Sequence, residues 1–112
     1  MERQELAKWR RIVVKVGTST LTAGSSRLNA PRMVDLARQM YELTRRGAQV
    51  VLVTSGAQQA GREHLNLPRG HKSIPFRQML AAVGQSRLMS LWERYFELYG
   101  LVVAQVLLTR QD

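Results

Sequence analysis

The chain has 112 residues, a hydrophobic fraction of 45% and a formal net charge of +9 from 17 basic and 8 acidic side chains. That length sets one domain at most. The absence of cysteine excludes disulfides, a thiolate metal centre and a cysteine nucleophile. Residues Met1 to Arg11 are charged and lack the apolar centre of a signal peptide, and no apolar run reaches bilayer length, so a cytoplasmic protein is expected.

The basic residues are scattered from Arg3 to Arg110, with no run of five or six and no alternation with aromatic residues. Solvated faces explain such a pattern better than a dedicated nucleic-acid surface, and none is expected. An acidic remainder of the protein would also balance it. The rival reading is a stand-alone basic binding module for RNA or a protein partner.

In chain order, Glu2 to Lys8 reads as a short helical lead-in. Arg11 to Val16 reads as a strand, and its aliphatic, β-branched composition suits burial on both faces of a parallel sheet. Lys15 breaks that pattern, because an unpaired ammonium in an apolar interior is costly. Its side chain therefore reaches an anion, or the strand ends there and the side chain emerges at the carboxyl edge of the sheet. Gly17 permits a turn or a close backbone approach to a ligand. Thr18, Ser19 and Thr20 add hydroxyls. Two accounts stand on these residues alone: a phosphate or carboxylate site, and a snorkelling lysine before a turn.

Gly17 to Asn29 reads as a loop, with a small hairpin around Ala23-Gly24-Ser25-Ser26 as one possibility. Pro31 suits the first turn of a helix capped by Asn29 or Ala30. Met33, Leu36, Ala37, Met40 and Leu43 recur at helical spacing, and Gly47 closes that helix. Val50 to Val53 is a second buried strand, running into Thr54-Ser55-Gly56-Ala57. A helix follows from Ala57 to Leu65, and Asn66 to Ser73 reads as a loop. Pro75 begins another helix, with Phe76, Met79, Leu80 and Val83 on one face and Leu88, Leu91, Trp92, Tyr95 and Phe96 continuing it. Gly84 either bends this helix or brings it against another backbone. Leu101 to Leu108 is a third strand, with Thr109 to Asp112 emerging from it. The alternation predicts an α/β fold built of βαβ units on a parallel sheet.

In such sheets ligands bind beyond the carboxyl ends of the strands, and small or polar residues stand at all three. Gly56 to Gly61 has P-loop glycine spacing but continues Arg62-Glu63, so it is not a Walker A loop. Ser55 lacks the flanks of a nucleophile elbow, and its structural role would be to cap the next helix. His64 and His71 are not at zinc-ligand spacing.

Together, Val14-Lys15-Val16-Gly17-Thr18-Ser19, Val53-Thr54-Ser55-Gly56-Ala57, Ala60-Gly61-Arg62-Glu63, Leu80 to Leu88 and Leu107-Leu108-Thr109-Arg110 resemble the N-terminal part of the glutamate 5-kinases, within the amino acid kinase superfamily. The resemblance implies a parallel-sheet sandwich, here incomplete, with residues 1–112 as the N-terminal part of one kinase domain. It implies ATP-dependent phosphorylation of the γ-carboxylate of L-glutamate, the first step of proline biosynthesis, with Mg²⁺ as counter-ion and a homo-oligomeric complete enzyme. Lys15 would bind the transferring phosphate, Gly17, Thr18 and Ser19 would form the adjoining turn, and Ser55, Gly56 and Ala57 would hold glutamate. Other charged residues of such sites lie beyond the equivalent of Asp112, so this chain is expected to be truncated and inactive alone.

Overall fold

The computed structural model describes residues 11–67 and 73–104. The helical lead-in at Glu2 to Lys8 and the segment Thr109 to Asp112 lie outside the described residues. Two strands, β1 (Arg11–Val16) and β2 (Gln49–Thr54), form a parallel pair in which Lys15 stands beside Val53 and Val16 beside Thr54. Four helices accompany them: α1 (Thr18–Thr22), α2 (Ala30–Arg45), α3 (Ala57–His64) and α4 (Ile74–Glu97). No helix among the described residues is long and apolar enough to cross a membrane.

Among the described residues the sheet departs from expectation in being covered on one face only. Ile12, Val14 and Val16 of β1 and Val50 and Leu52 of β2 turn toward the helices. The alternate residues Val13, Val51 and Val53 are 58%, 43% and 42% exposed. Side chains alternate across a strand, so Lys15 falls on the same open face as these valines. Its ammonium is therefore not buried, and the desolvation argument for an obligatory counter-charge does not apply.

Two further expectations are corrected. The stretch after Gly17 is not wholly loop. Thr18 to Thr22 winds into α1, which buries Leu21 and Thr22 and ends at Ala23 in the left-handed region. Tertiary burial of Leu21 overrides the weak helix propensity of Thr and Ser. No hairpin forms at Ala23 to Ser26, where Ser25 instead hydrogen-bonds its own neighbours. Residues 101–104 carry no strand, and the rest of the expected third strand lies outside the described residues.

Helix α2 begins as its sequence indicates. The Asn29 side chain accepts the Arg32 N–H at 2.8 Å, Pro31 follows inside the first turn, and Met33, Ala37 and Met40 are buried. Asn29→Ala is expected to cost about 1 kcal/mol, the usual loss for a polar N-cap, read as a lower melting temperature with unchanged helical content. At the far end Gly47, at φ 94°, turns the chain toward β2.

Helix α4 carries the core. Leu80, Gly84, Leu88, Trp92 and Phe96 are buried at every fourth position, a single ridge along one helix face. Met79, expected on this face, is 41% exposed. Trp92 and Phe96 stack with ring centroids 5.7 Å apart. They join Val16, Leu21, Met33, Ala37, Met40, Ala60 and Leu88 in one cluster beneath the carboxyl end of the sheet. Burying each large aliphatic side chain there is worth about 1.5–3 kcal/mol.

The closest packing is between α3 and α4. A Cβ at Gly84 would fall within the Ala57 carbonyl and against the Gly61 nitrogen, and one at Gly61 would fall within the Leu80 carbonyl. Backbone lies directly on backbone, which only glycine allows. The second alternative for Gly84, close approach, is the one the fold uses.

Candidate functional site

Both strands end at the same level, and each runs at once into a turn and a helix. The Ser55 N–H donates to the Val16 carbonyl at 2.9 Å, extending the parallel ladder and locking the two turns side by side. On the β1 side Gly17 sits at φ −87° and precedes α1. That is ordinary extended backbone, so the turn itself does not require glycine there. On the β2 side Gly56 has φ 110° and is the N-cap of α3, a conformation that strongly favours glycine. A Cβ there would also press Leu21 Cδ1 at 3.0 Å.

The expectation that Ser55 caps α3 is overturned. The capping residue is Gly56, and no side chain caps the helix. Because Gly56 turns the chain through the left-handed region, the exposed Ser55 side chain stands outside the first turn. The N–H groups of Ala57, Gln58 and Gln59 are the unpaired donors of a helix start, favourable toward an anion.

A cavity of about 450 Å³ opens at this point, walled by Thr18, Ser55, Gly56, Ala57, Gln59 and Arg62 among others. The structure thus brings Thr18 together with the whole Ser55 to Ala57 turn. Lys15, Gly17 and Ser19 are exposed and outside this wall. Lys15 stands one residue before the end of β1, on the open face, with no hydrogen-bond or ion-pair partner among the described residues.

The cavity wall is held from behind. Thr54 Oγ1 donates to the Ser55 carbonyl at 2.9 Å and accepts from buried Trp92 Nε1 at 3.2 Å. Glu63 accepts the Leu28 N–H and Gln59 Nε2, both at 3.0 Å, and Gln59 Nε2 also donates to the Ser26 carbonyl at 2.6 Å. Arg62 Nη1 donates to Gln59 Oε1 at 3.3 Å. The segment after α1 is thereby tied to α3. Sequence reasoning missed Thr54, Gln59 and Arg62. Two of these stand on α3 at i and i+3, which places them on one face. Their position within the first two turns after the Gly56 bend was the available signal.

Among the described residues no group of three metal-ligating side chains occurs, and His64 is exposed at the end of α3. The donors at the two turns are hydroxyls, amides and cations. The one nearby carboxylate, Glu63, is engaged by backbone and Gln59. These residues do not fit a protein-held Mg²⁺ site.

The chain is 54% identical over 112 residues to a glutamate 5-kinase of Shewanella oneidensis, matching all of this chain and 30% of that protein. It is 57% identical over 102 residues to one of Herpetosiphon aurantiacus, and 55% identical over 101 residues to one of Escherichia coli; these matches cover 91% and 90% of this chain and 28% of each relative. The chain therefore spans less than a third of the length of these curated relatives. The model of the amino acid kinase family matches residues 10–112. With that match spanning both strands, both turns and all four helices, the chain belongs to the amino acid kinase family.

Proposed function

We propose that this chain supplies one wall of a glutamate 5-kinase site, in which ATP phosphorylates the γ-carboxylate of L-glutamate. Residues 1–112 form part of a single kinase domain in this reading, within a cytoplasmic homo-oligomer. The observation that carries it is the Ser55 to Val16 hydrogen bond. It sets the β1 turn, beside Lys15, against the helix start that follows Gly56. The relatives bear the name of that activity.

The chemistry follows from two anions that must meet. A γ-carboxylate oxygen attacks the γ-phosphorus of ATP, the bond from that phosphorus to the β-bridging oxygen breaks, and ADP leaves. Catalysis of this step is chiefly alignment and charge stabilisation. The Gly56 and Ala57 N–H groups and the Ser55 hydroxyl hold the carboxylate. Lys15 reaches over the strand end to the transferring phosphate, and the Gly17 to Ser19 turn lies beneath the phosphates. Mg²⁺ would accompany the nucleotide as its counter-ion.

The test replaces the matching segment of the Shewanella oneidensis enzyme by residues 1–112. The purified hybrid is incubated with glutamate, ATP and Mg²⁺, and acyl phosphate is trapped with hydroxylamine. Glutamate-dependent hydroxamate supports the reading, and a folded hybrid that forms none contradicts it. In an active hybrid, Ser55→Ala is expected to raise the KM for glutamate several-fold, with the KM for ATP and the melting temperature unchanged. Because Ser55 caps nothing, a loss of stability without a KM change would remove it from the site.

A further inference from the structure

The peptide between Ser55 and Gly56 carries the Ser55 carbonyl and the Gly56 N–H in one plane. A trans peptide points these two groups in opposite directions. Rotating the plane by a half turn would exchange them, moving Ser55 ψ and Gly56 φ by about 180° each. Gly56 stands at φ 110° and ψ 1°, so the rotated peptide would bring its φ to about −70°, next to the bridge region used by type I turns. Glycine takes either sign of φ about as readily. Its own backbone preference therefore does not choose between the two orientations. The choice falls to whatever holds the Ser55 carbonyl.

Thr54 and Trp92 hold it. The Thr54 hydroxyl donates to the Ser55 carbonyl at 2.9 Å and accepts from Trp92 Nε1 at 3.2 Å. An indole N–H can only donate, and a hydroxyl has one proton to give. With Trp92 donating to its oxygen, the hydroxyl turns its own proton onto the Ser55 carbonyl, and the two bonds in series strengthen each other. Trp92 is 2% exposed and stacked on Phe96, so the indole is a rigid anchor. The held carbonyl leaves the Gly56 N–H directed away from Thr54, and that N–H donates to no described residue. Gly56 is part of the cavity wall. The rotated peptide would present a carbonyl oxygen to an anion in place of this donor.

We infer that Thr54 and Trp92 are positioning residues, which hold the Ser55-Gly56 peptide with its N–H offered to the carboxylate that is phosphorylated. The inference rests on the kinase reading above and adds what keeps this donor turned toward the substrate.

The test measures glutamate and ATP kinetics in the segment-replaced enzyme and its variants. Thr54→Val keeps the shape of the side chain and removes the hydroxyl. It is expected to raise the KM for glutamate at least about tenfold, the order lost with one hydrogen bond to a charged group. The KM for ATP stays within about twofold, since this peptide serves only one substrate. Thr54→Ser keeps the hydroxyl and holds the glutamate KM within about threefold of the parent. Trp92→Phe keeps an aromatic ring against Phe96 and removes the N–H, raising the glutamate KM about three- to fivefold. It decides the matter if Thr54→Val does not fold. Trp92→Phe combined with Thr54→Val has the glutamate KM of Thr54→Val alone, because the indole acts through the hydroxyl. A merely structural role lowers the melting temperature without this pattern. An unchanged glutamate KM in a folded variant lacking the hydroxyl or the indole N–H overturns the assignment while leaving the kinase reading intact. So do equal rises in both KM values, a Thr54→Ser enzyme no better than Thr54→Val, or additive effects in the double variant. A folded parent that forms no acyl phosphate overturns the kinase reading, and the inference with it.

Discussion

Gly84→Ala is expected to be the most damaging single-methyl change in the described residues. The added Cβ would overlap the Ala57 carbonyl and the Gly61 nitrogen, which are main-chain atoms of a neighbouring helix. No side-chain rotation relieves such a clash, so α3 must move away from α4. That separation would open the core along Leu80 and Leu88 and shift the Gly56-Ala57 turn. The expected loss is about 4 kcal/mol or more, in the range reserved for severe overpacking. Gly17→Ala is the internal control. A Cβ there meets nothing within 4 Å, and φ −87° is open to any residue. Its stability should change by less than about 0.5 kcal/mol. Thermal melts of the segment-replaced enzyme check both, and equal melting temperatures for the two variants would contradict the glycine contact.

Lys15→Met is expected to abolish most turnover without destabilising the fold. Lys15 lies on an open sheet face with Val13, Val51 and Val53, one residue before β1 ends, and no described residue neutralises it. Among the described residues it is exposed and makes no hydrogen bond or ion pair, so its removal costs the fold little. In the proposed site its compact charge reaches over the strand end to the transferring phosphate. Removing a preorganised charge from a developing transition state typically costs about a hundredfold or more in kcat. Lys15→Arg should restore little, because a planar fork does not replace a compact point charge on a phosphate. Glutamate-dependent ADP release measures this. A Lys15→Met enzyme turning over at the parental rate would mark Lys15 as a solvated surface residue.

Much of this arrangement is legible in the residues. The β-branched runs mark both strands, Asn29 and Pro31 mark the start of α2, and the Thr54 to Ala57 stretch marks the second turn. Periodicity finds Leu80, Leu88, Trp92 and Phe96 but misplaces Met79, because a row of residues four apart winds slowly around a helix. Burial on both sheet faces did not follow from composition, since an aliphatic strand looks the same whether one or two layers cover it. Helix α1 was invisible because Thr-Ser-Thr-Leu-Thr has weak local preference and folds only through the burial of Leu21. Gly61 and Gly84 were readable as unusual residues within helices, but only tertiary structure shows that they meet each other. Arg62 appears in the sequence as the residue that spoils a P-loop pattern and as part of the Ala60 to Glu63 motif, with no site role attached to it. Its place on the cavity wall depends on how α3 is set against the turn that follows β2.

In the proposed site the two turns face the reacting ends of the substrates. A crystal structure of the segment-replaced enzyme with glutamate and a non-hydrolysable ATP analogue tests it most directly. A γ-carboxylate oxygen is expected about 3 Å from the Gly56 or Ala57 nitrogen, with a γ-phosphate oxygen at similar distance from Lys15 Nζ. Glutamate and the analogue bound elsewhere, with Lys15 and the Ser55 to Ala57 turn facing only solvent, would contradict it.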